Sequence, residues 1–591
     1  PSTVALAASA PNNPFTTAVH VPYPFPNLVA DEWSEVVTSR VTGGLVAKLT
    51  GDWQAGLDYV VGSTKTRLLL QSPTPGDPDG PTGPGISFGT AVSTGVLDVM
   101  RDLNVLPLNY GPYIMPRPAT DSTGLAVSQS LTARASGPVF QVPAGAVVLS
   151  ASAELQTSRN DSTVILMRST TSPTPRYSWI PEVFSKSKAG YVEARVPLLA
   201  TPGQAGNPRL ELQLAGRYDS SRAKTPAGSP FNTIADPSGP YPDVPFVAPK
   251  FSDTSYTAGL RYVPVPDLVL RVSFGTGFLA PSLTQLNPGV PFAGLTFPGV
   301  SDPKRGGVPS TIGPLTVVAG GNPNLRPEHS KSYSAGVIFT PRHLPGFRFS
   351  VDYTRIDKND EITSLLEQQL LNAEDSLPAG SVVRDPLTPA DQALGYTGGV
   401  ITLLNEGFIN VARRKVEAVD FQADYNRKTS IGEFHGYAVA TWNRLFAGRI
   451  TPALPMIDEI GYLSAPLKWR GNVGLDWSRG PWSVGWNGQF YDSTFIYLAS
   501  STATSRAATV LTQGSSRYPA QWYHDLLVSY QFGLTGEGWR RLLSDVKISV
   551  GLQNVFNKEP PLAATTSERG GYQNIEDPRL RRYTLSLQKH F

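Results

Sequence analysis

The sequence predicts an all-β protein, a transmembrane antiparallel β-barrel. Three observations carry this: apolar and polar residues alternate in many separate segments, aromatic residues gather near the ends of those segments, and the connections alternate between short and long. Successive side chains on a strand point to opposite faces, so strict alternation gives one apolar and one polar face. In 209–218, Leu210, Leu212, Leu214 and Tyr218 face one way, and Arg209, Glu211, Gln213 and Arg217 the other. In 347–354 the apolar set is Phe347, Phe349, Val351 and Tyr353, against Arg348, Ser350, Asp352 and Thr354. Leu268, Leu270, Val272 and Phe274 oppose Asp267, Arg271 and Ser273, and Val546, Ile548, Val550 and Leu552 oppose Lys547, Ser549 and Gln553.

A soluble sandwich also alternates. Here the segments run to about ten residues or more, the length that crosses a bilayer at a tilt. Trp53, Tyr218, Tyr262, Tyr353, Trp469, Trp477, Trp482, Trp486 and Trp522 sit near segment ends, where outer-membrane barrels carry interfacial aromatics. In chain order the expected strands are 40–52, 53–71, 125–136, 144–157, 187–199, 207–219, 251–264, 267–278, 328–341, 345–358, 408–426, 431–446, 466–479, 481–496, 517–533, 544–556 and 579–591, about 17 in all. Short links such as Gly51-Asp52, Val265-Pro266 and Gly480-Pro481 alternate with long ones such as 72–124, 279–327 and 359–407. Short periplasmic turns and long extracellular loops are the asymmetry of bacterial outer-membrane barrels. With the long loops outside, the C-terminus lies in the periplasm. Residues 1–39 then fall in an extracellular loop region and 40–591 form the barrel.

Composition agrees. The 591 residues include 55 Gly and 54 Pro, which suits many turns and long loops, and 10 % aromatics argue against disorder. A net charge of +3 with no Lys/Arg stripe argues against nucleic acid as a partner. Cysteine is absent, which removes disulfides, zinc fingers and thiol catalysis. No run of about 18 apolar residues exists, so no transmembrane helix is expected. The opening PSTVALAASA ends in small residues but has no basic start, and the chain is expected to begin within a longer gene product.

Several motifs resemble those of the TonB-dependent outer-membrane receptors. The stretch 271–283 (RVSFGTGFLAPSL) is similar to a family strand and loop entry. After a long loop, 321–328 (GNPNLRPE) resembles the Asn-Pro-x-Leu-x-Pro-Glu signature, through Asn322, Pro323, Leu325, Arg326, Pro327 and Glu328. Near the end, 551–556 (GLQNVF) resembles the Asn-x-Phe element through Asn554 and Phe556. The final strand, with Tyr583, Leu585, Leu587 and terminal Phe591, resembles the signal read by the barrel-assembly machinery, although Lys589 breaks its apolar face.

Pro323 and Pro327 restrict the backbone before a strand opens, so the signature is expected to be a structural clamp, with Glu328 on the lumen face near a strand arginine. The resemblance implies a bacterial outer-membrane location among lipid and lipopolysaccharide, and active uptake of a scarce nutrient, iron-siderophore foremost. It also implies energy from the TonB-ExbB-ExbD system through a plug. Such transporters have plugged barrels of roughly 22 strands. The plug and about five strands are expected from outside these residues, as upstream sequence or a separate chain, because an open sheet edge in lipid is prohibitive.

No enzyme is expected. The histidines His20, His329, His343, His435, His524 and His590 are scattered without metal-ligand spacing, and no G-x-S-x-G elbow occurs. No cofactor or metal site is read. The acidic run 357–361 (DKNDE) is expected to be a solvated strand end, and the rings of 495–497 and 518–524 to pack loop against loop or stack on a ligand. The alternative to a transporter is a non-transporting barrel that serves as a surface binding or structural component.

Overall fold

The computed structural model describes the chain apart from residues 1, 24–30, 72, 76–87, 102–113, 117–119, 168–175, 202–203, 230, 452–453, 534–543, 565–576 and 590–591. Long strands follow one another in chain order. The first nine are β1 (Asp31–Lys48), β2 (Gln54–Gln71), β3 (Thr120–Val142), β4 (Gly145–Asn160), β5 (Val183–Thr201), β6 (Gln204–Pro226), β7 (Lys250–Val265), β8 (Leu268–Leu279) and β9 (Glu328–Phe339). They continue as β10 (Phe347–Thr363), β11 (Ile409–Thr429), β12 (Gly432–Arg449), β13 (Trp469–Arg479), β14 (Trp482–Tyr491), β15 (Gln521–Gln531), β16 (Val546–Gln553) and β17 (Arg582–Lys589). Each pairs antiparallel with the next, and the sheet curls into a barrel.

Each expected segment holds one of these strands. The bounds differ most at the long-loop end: β1 begins at Asp31, not 40, and β6 runs to Pro226, not 219. The ladders continue there past the apolar band, where polar residues such as Glu35, Arg67 and Thr123 line up in register, so hydropathy no longer marks the strand. At the other end the turns are tight. In the β1–β2 turn Gly51 and Asp52 take φ of +67° and +61°, the left-handed geometry that glycine and aspartate tolerate.

The register fixes the faces. Leu45, Leu57, Ala133 and Ala153 share one outward row across β1–β4, and Trp486, Leu526 and Leu552 another across β14–β16. Apart from half-buried Leu552, these apolar side chains are exposed because a barrel wall is one sheet thick and its solvent outside is lipid. Two collars of rings border the band. On the long-loop side Trp442 stacks on Trp469 at 5.9 Å, Phe490 meets Trp522 at 5.1 Å and Phe274 meets Tyr333 at 5.0 Å. On the short-turn side Trp482 meets Tyr530 at 4.8 Å and Phe347 meets Tyr425 at 6.4 Å.

Among the described residues no ladder joins β1 to β17. These two strands also show some of the most exposed side chains in the wall, Leu45 at 74 % and Leu585 at 77 %. No helix among the described residues is long and apolar enough to cross a membrane.

Candidate functional site

The inward faces form a polar lumen. Arg134 reaches Asp58 at 3.0 Å, Arg217 lies 3.4 Å from Glu154, and Arg271 grips Asp352 with bonds of 2.9 and 2.6 Å. Thr441 donates to Asp420, Gln489 to Asp525 at 2.8 Å, and Tyr437 to Asn487 at 3.1 Å. Alternation alone brings these groups inward, where they pair with the next strand or, as Arg217, Arg271 and Tyr437 do, across an intervening one.

Two folded loop assemblies stand at the long-loop end. The first joins the β8–β9 and β10–β11 connections. Strand Val290–Ser301 pairs antiparallel with Pro309–Ala319, which runs parallel to Ile401–Asn405, which in turn pairs with Val382–Arg384. With helix Glu367–Ala373 this small sheet encloses Val300, Leu315, Val317, Leu370, Ile401 and Leu404.

Charges bind its rim. Arg384 lies 2.7 Å from Asp302 and 2.8 Å from Glu374, Lys304 lies 3.1 Å from Glu374 and 2.6 Å from Asp375, and Arg305 lies 2.8 Å from Asp391. Burial alone would lower the Arg384 pKa, but its bonds to Asp302 and Glu374 outweigh that and hold it above the usual arginine range. The Arg305 and Thr388 hydrogen bonds hold the Asp391 carboxyl down at about 2.

The second assembly joins the β12–β13, β14–β15 and β16–β17 connections. Ile496, Tyr518 and Ala563 are its buried core, with Leu463, Tyr497 and Val510 against them. Beside this core Tyr462 stacks on Phe495 at 4.7 Å and Phe495 on Tyr497 at 5.3 Å. The Arg517 guanidinium sits 3.7 Å from the Phe495 ring centre, and that of Arg506 5.2 Å from Tyr497. Arg506 lies in helix Ala503–Gln513 and donates to the carbonyls of Ser501 and Ala499, while Arg517 donates to the Ser493 hydroxyl. Neither arginine meets a carboxylate among the described residues. Half-buried rings with two carboxylate-free guanidinium groups can stack on a flat ligand and neutralise an anion.

The signature residues converge where the first assembly meets the wall. Asn322 donates to the Phe408 carbonyl at 3.0 Å and accepts from the Asn324 amide at 2.9 Å. Leu325 is buried with Leu286, Ile362 and Phe251. The backbone of Arg326 exchanges two 2.7 Å hydrogen bonds with the Asn410 side chain, and its guanidinium lies 3.0 Å from Asp360. Pro323 and Pro327 frame this turn. Glu328 is buried, accepts from the Ile362 amide at 2.7 Å, and pairs with Lys358 at 2.8 Å. Its partner is thus a lysine, not the expected arginine.

Asn554 takes φ +51°, receives the Lys558 amide at 2.8 Å and donates its own amide to Asp525 at 2.9 Å. Phe556 is 71 % exposed and sets its ring on edge against His524 at 5.2 Å. Tyr583, Leu585 and Leu587 lie exposed on β17, and Phe591 lies outside the described residues.

Two sequence candidates part company here. Of the rings of 518–524, Tyr518 is loop core while Trp522 and His524 stack in the outward collar. The acids of the run 357–361 each take a cation: Asp357 takes Arg355, Asp360 takes Arg326, and Glu361 takes Arg414. Sequence reasoning missed the Asp302–Arg384–Glu374 cluster altogether. Only the density of charges in 302–305 and 374–391 hinted at it.

An apolar outer face, two aromatic collars, a polar lumen and folded loops at one end define an outer-membrane β-barrel of bacteria. The chain belongs to the TonB dependent receptor-like β-barrel family, whose model matches residues 8–555. Its fold is similar to that of the ferric-catecholate import receptor Fiu from K12 E. coli, with TM-score 0.53 at 10 % identity, covering 95 % of this chain and 65 % of that one. It is also similar to the pyoverdine receptor FpvA from Pseudomonas aeruginosa PAO1, with TM-score 0.51 at 13 % identity, covering 93 % and 61 %. The chain therefore spans under two thirds of the length of either. No curated protein matches the chain.

Proposed function

We propose that the protein is an outer-membrane receptor that captures a ferric siderophore and imports it with TonB energy. The observation that carries this reading is the ring cluster Tyr462, Phe495 and Tyr497 with Arg506 and Arg517, which meet no carboxylate among the described residues, at the mouth end of a polar lumen. Ferric complexes of catecholate or hydroxamate chelators are often anionic and carry flat conjugated groups, which such a cluster suits. The two receptors of similar fold are described as a ferric-catecholate importer and a pyoverdine receptor. Family membership supports energy from TonB, delivered through a plug outside the described strands.

The exposed edges of β1 and β17 support further strands that pair with them, from the same polypeptide or another, since unpaired backbone in lipid costs several kcal/mol per group. The signature, on this reading, clamps the first loop assembly to β10 and β11.

The test is binding and uptake of radioiron-loaded chelators, catecholate and hydroxamate, by cells displaying the full-length receptor. Uptake should stop when the proton-motive force is collapsed, while surface binding persists. Each of Arg506→Gln and Arg517→Gln should weaken binding by roughly 3- to 30-fold, the range of one cation–π contact, with the barrel still heat-modifiable on gels. Failure of both chelator classes to bind would defeat the siderophore reading, and uptake indifferent to the proton-motive force would defeat TonB-driven import.

A further inference from the structure

Strand register places a second charged feature on the outside of the barrel. On β5, β6 and β7 the outward residues Lys186, Arg222 and Lys250 lie directly opposite one another in a single row. Lys224 follows Arg222 two residues up β6, and Lys188 follows Lys186 two residues down β5, both on the same face. Among the described residues none of the five forms a salt bridge, and Lys186, Lys188, Arg222 and Lys250 are exposed. Lys224 rests its ammonium 4.2 Å from the Phe246 ring centre.

Like charges directly opposite on a sheet repel and destabilise the pair. Three in succession, with no acid among them, form an arrangement that a counter-anion relieves. The next stretch of the wall, beyond β8, differs. In the equivalent outward row of β9, β10 and β11 the residues are Lys331, Asp357 and Lys415, so an acid separates the cations.

The height of the row identifies the anion. Tyr218, Tyr256 and Phe274 belong to the long-loop collar that closes the apolar band. Arg222 lies four residues beyond Tyr218 on β6. At about 3.3 Å per residue and a tilt of about 40°, this is roughly 10 Å above the collar. Headgroups occupy that layer, since the bilayer is about 40–45 Å thick with them and about 30 Å without. The row faces away from the lumen, so nothing in transit meets it.

We propose that Lys186, Arg222 and Lys250, with Lys188 and Lys224, form a binding site for the phosphorylated headgroup of an outer-leaflet glycolipid, lipopolysaccharide. The site is independent of whatever the loops capture. Two phosphates on one headgroup match a row of cations spaced about 5 Å apart from strand to strand, and Phe184 and Phe246 supply apolar contact beside them.

The experiment uses the full-length protein in detergent, titrated with bisphosphorylated lipid A and, separately, with the same lipid after phosphatase treatment, and read by native mass spectrometry. The wild type should retain the bisphosphorylated lipid at least tenfold more strongly than the dephosphorylated one. The triple variant Lys186→Gln, Arg222→Gln and Lys250→Gln should lose roughly 100-fold, a factor of about five per cation. A control variant, Lys331→Gln with Lys415→Gln, should bind like the wild type, and all variants should keep heat-modifiable migration. A triple variant that folds and binds lipid A undiminished would overturn the proposal. So would equal retention of the dephosphorylated lipid, an equal loss in the control, or complete displacement by millimolar inorganic phosphate, which would mark a small-anion site.

Discussion

The two loop assemblies treat arginine in opposite ways. In the first, Arg384 is 9 % exposed and locked between Asp302 and Glu374, themselves 6 % and 14 % exposed. In the second, Arg506 and Arg517 lie over aromatic rings and, among the described residues, meet only neutral oxygens. A buried pair contributes little net stability, because desolvation offsets attraction, but it fixes geometry once formed. A guanidinium over a ring without a carboxylate keeps its charge available to an incoming anion. The difference separates a scaffold from a contact surface within one set of loops.

The largest expected effect tests the scaffold. Arg384→Met leaves the Asp302 carboxylate buried without a cation and Glu374 with Lys304 alone, and should cost about 3–5 kcal/mol locally. Hydrogen exchange should quicken across 290–319 and 382–405, with protection of the wall strands unchanged. Replacing all three partners by apolar residues (Asp302→Leu, Glu374→Met, Arg384→Met) should recover most of the loss, since a packed apolar cluster of similar volume is often as stable as a buried ion pair. Unchanged exchange in the single variant would remove the distinction between the two assemblies.

Acid should sharpen it. Asp391 ordinarily titrates near 3.8 and is held at about 2 by Arg305 first and then Thr388. A depressed carboxyl stabilises the fold above its unfolded value and loses that contribution as pH falls through the folded value. Pepsin cleavage around 388–396 should therefore be slow and constant down to about pH 4 and rise between about pH 4 and pH 2. Thr388→Val should move that rise upward. The second assembly, whose Arg506 and Arg517 have no carboxylate partner among the described residues, should show no such transition in this window.

The wall was legible from sequence because lipid and lumen impose opposite demands on alternate residues, and Leu210, Leu212 and Leu214 against Glu211 and Gln213 display them directly. The loops were not. Leu370 and Leu404, both at 0 % exposure, carry no periodicity in a Gly/Pro-rich stretch. The pairing of Thr316 with Leu403 crosses a whole hairpin of the barrel. Asp302 and Arg384 lie 82 residues apart, so neither points to the other in the chain. The signature was legible as residues, through resemblance, but not as contacts, since its partner Asn410 is 84 residues away from Arg326. Trp522 fits the sequence both as an interfacial ring of the strand 517–533 and as one of the loop rings of 518–524, and only its register opposite Phe490 decides for the wall.

The smallest expected effect separates burial from mere pairing. Asp375 makes the shorter of the two bonds to Lys304, 2.6 Å against 3.1 Å for Glu374, yet it is 86 % exposed where Glu374 is 14 %. The Asp375 hydrogen bond is the largest influence raising the Lys304 pKa, ahead of the opposing effect of burial. Distance alone would rank Asp375 first. Solvent screening ranks it last, because an exposed pair trades its attraction against hydration and side-chain entropy and contributes about 0–1 kcal/mol. Asp375→Asn should therefore leave hydrogen exchange of the first assembly within error of the wild type, while Glu374→Gln should expose it. If the two substitutions prove equally damaging, the assembly depends on the number of its ion pairs, and the contrast with the unpaired arginines of its neighbour is one of charge count and not of burial.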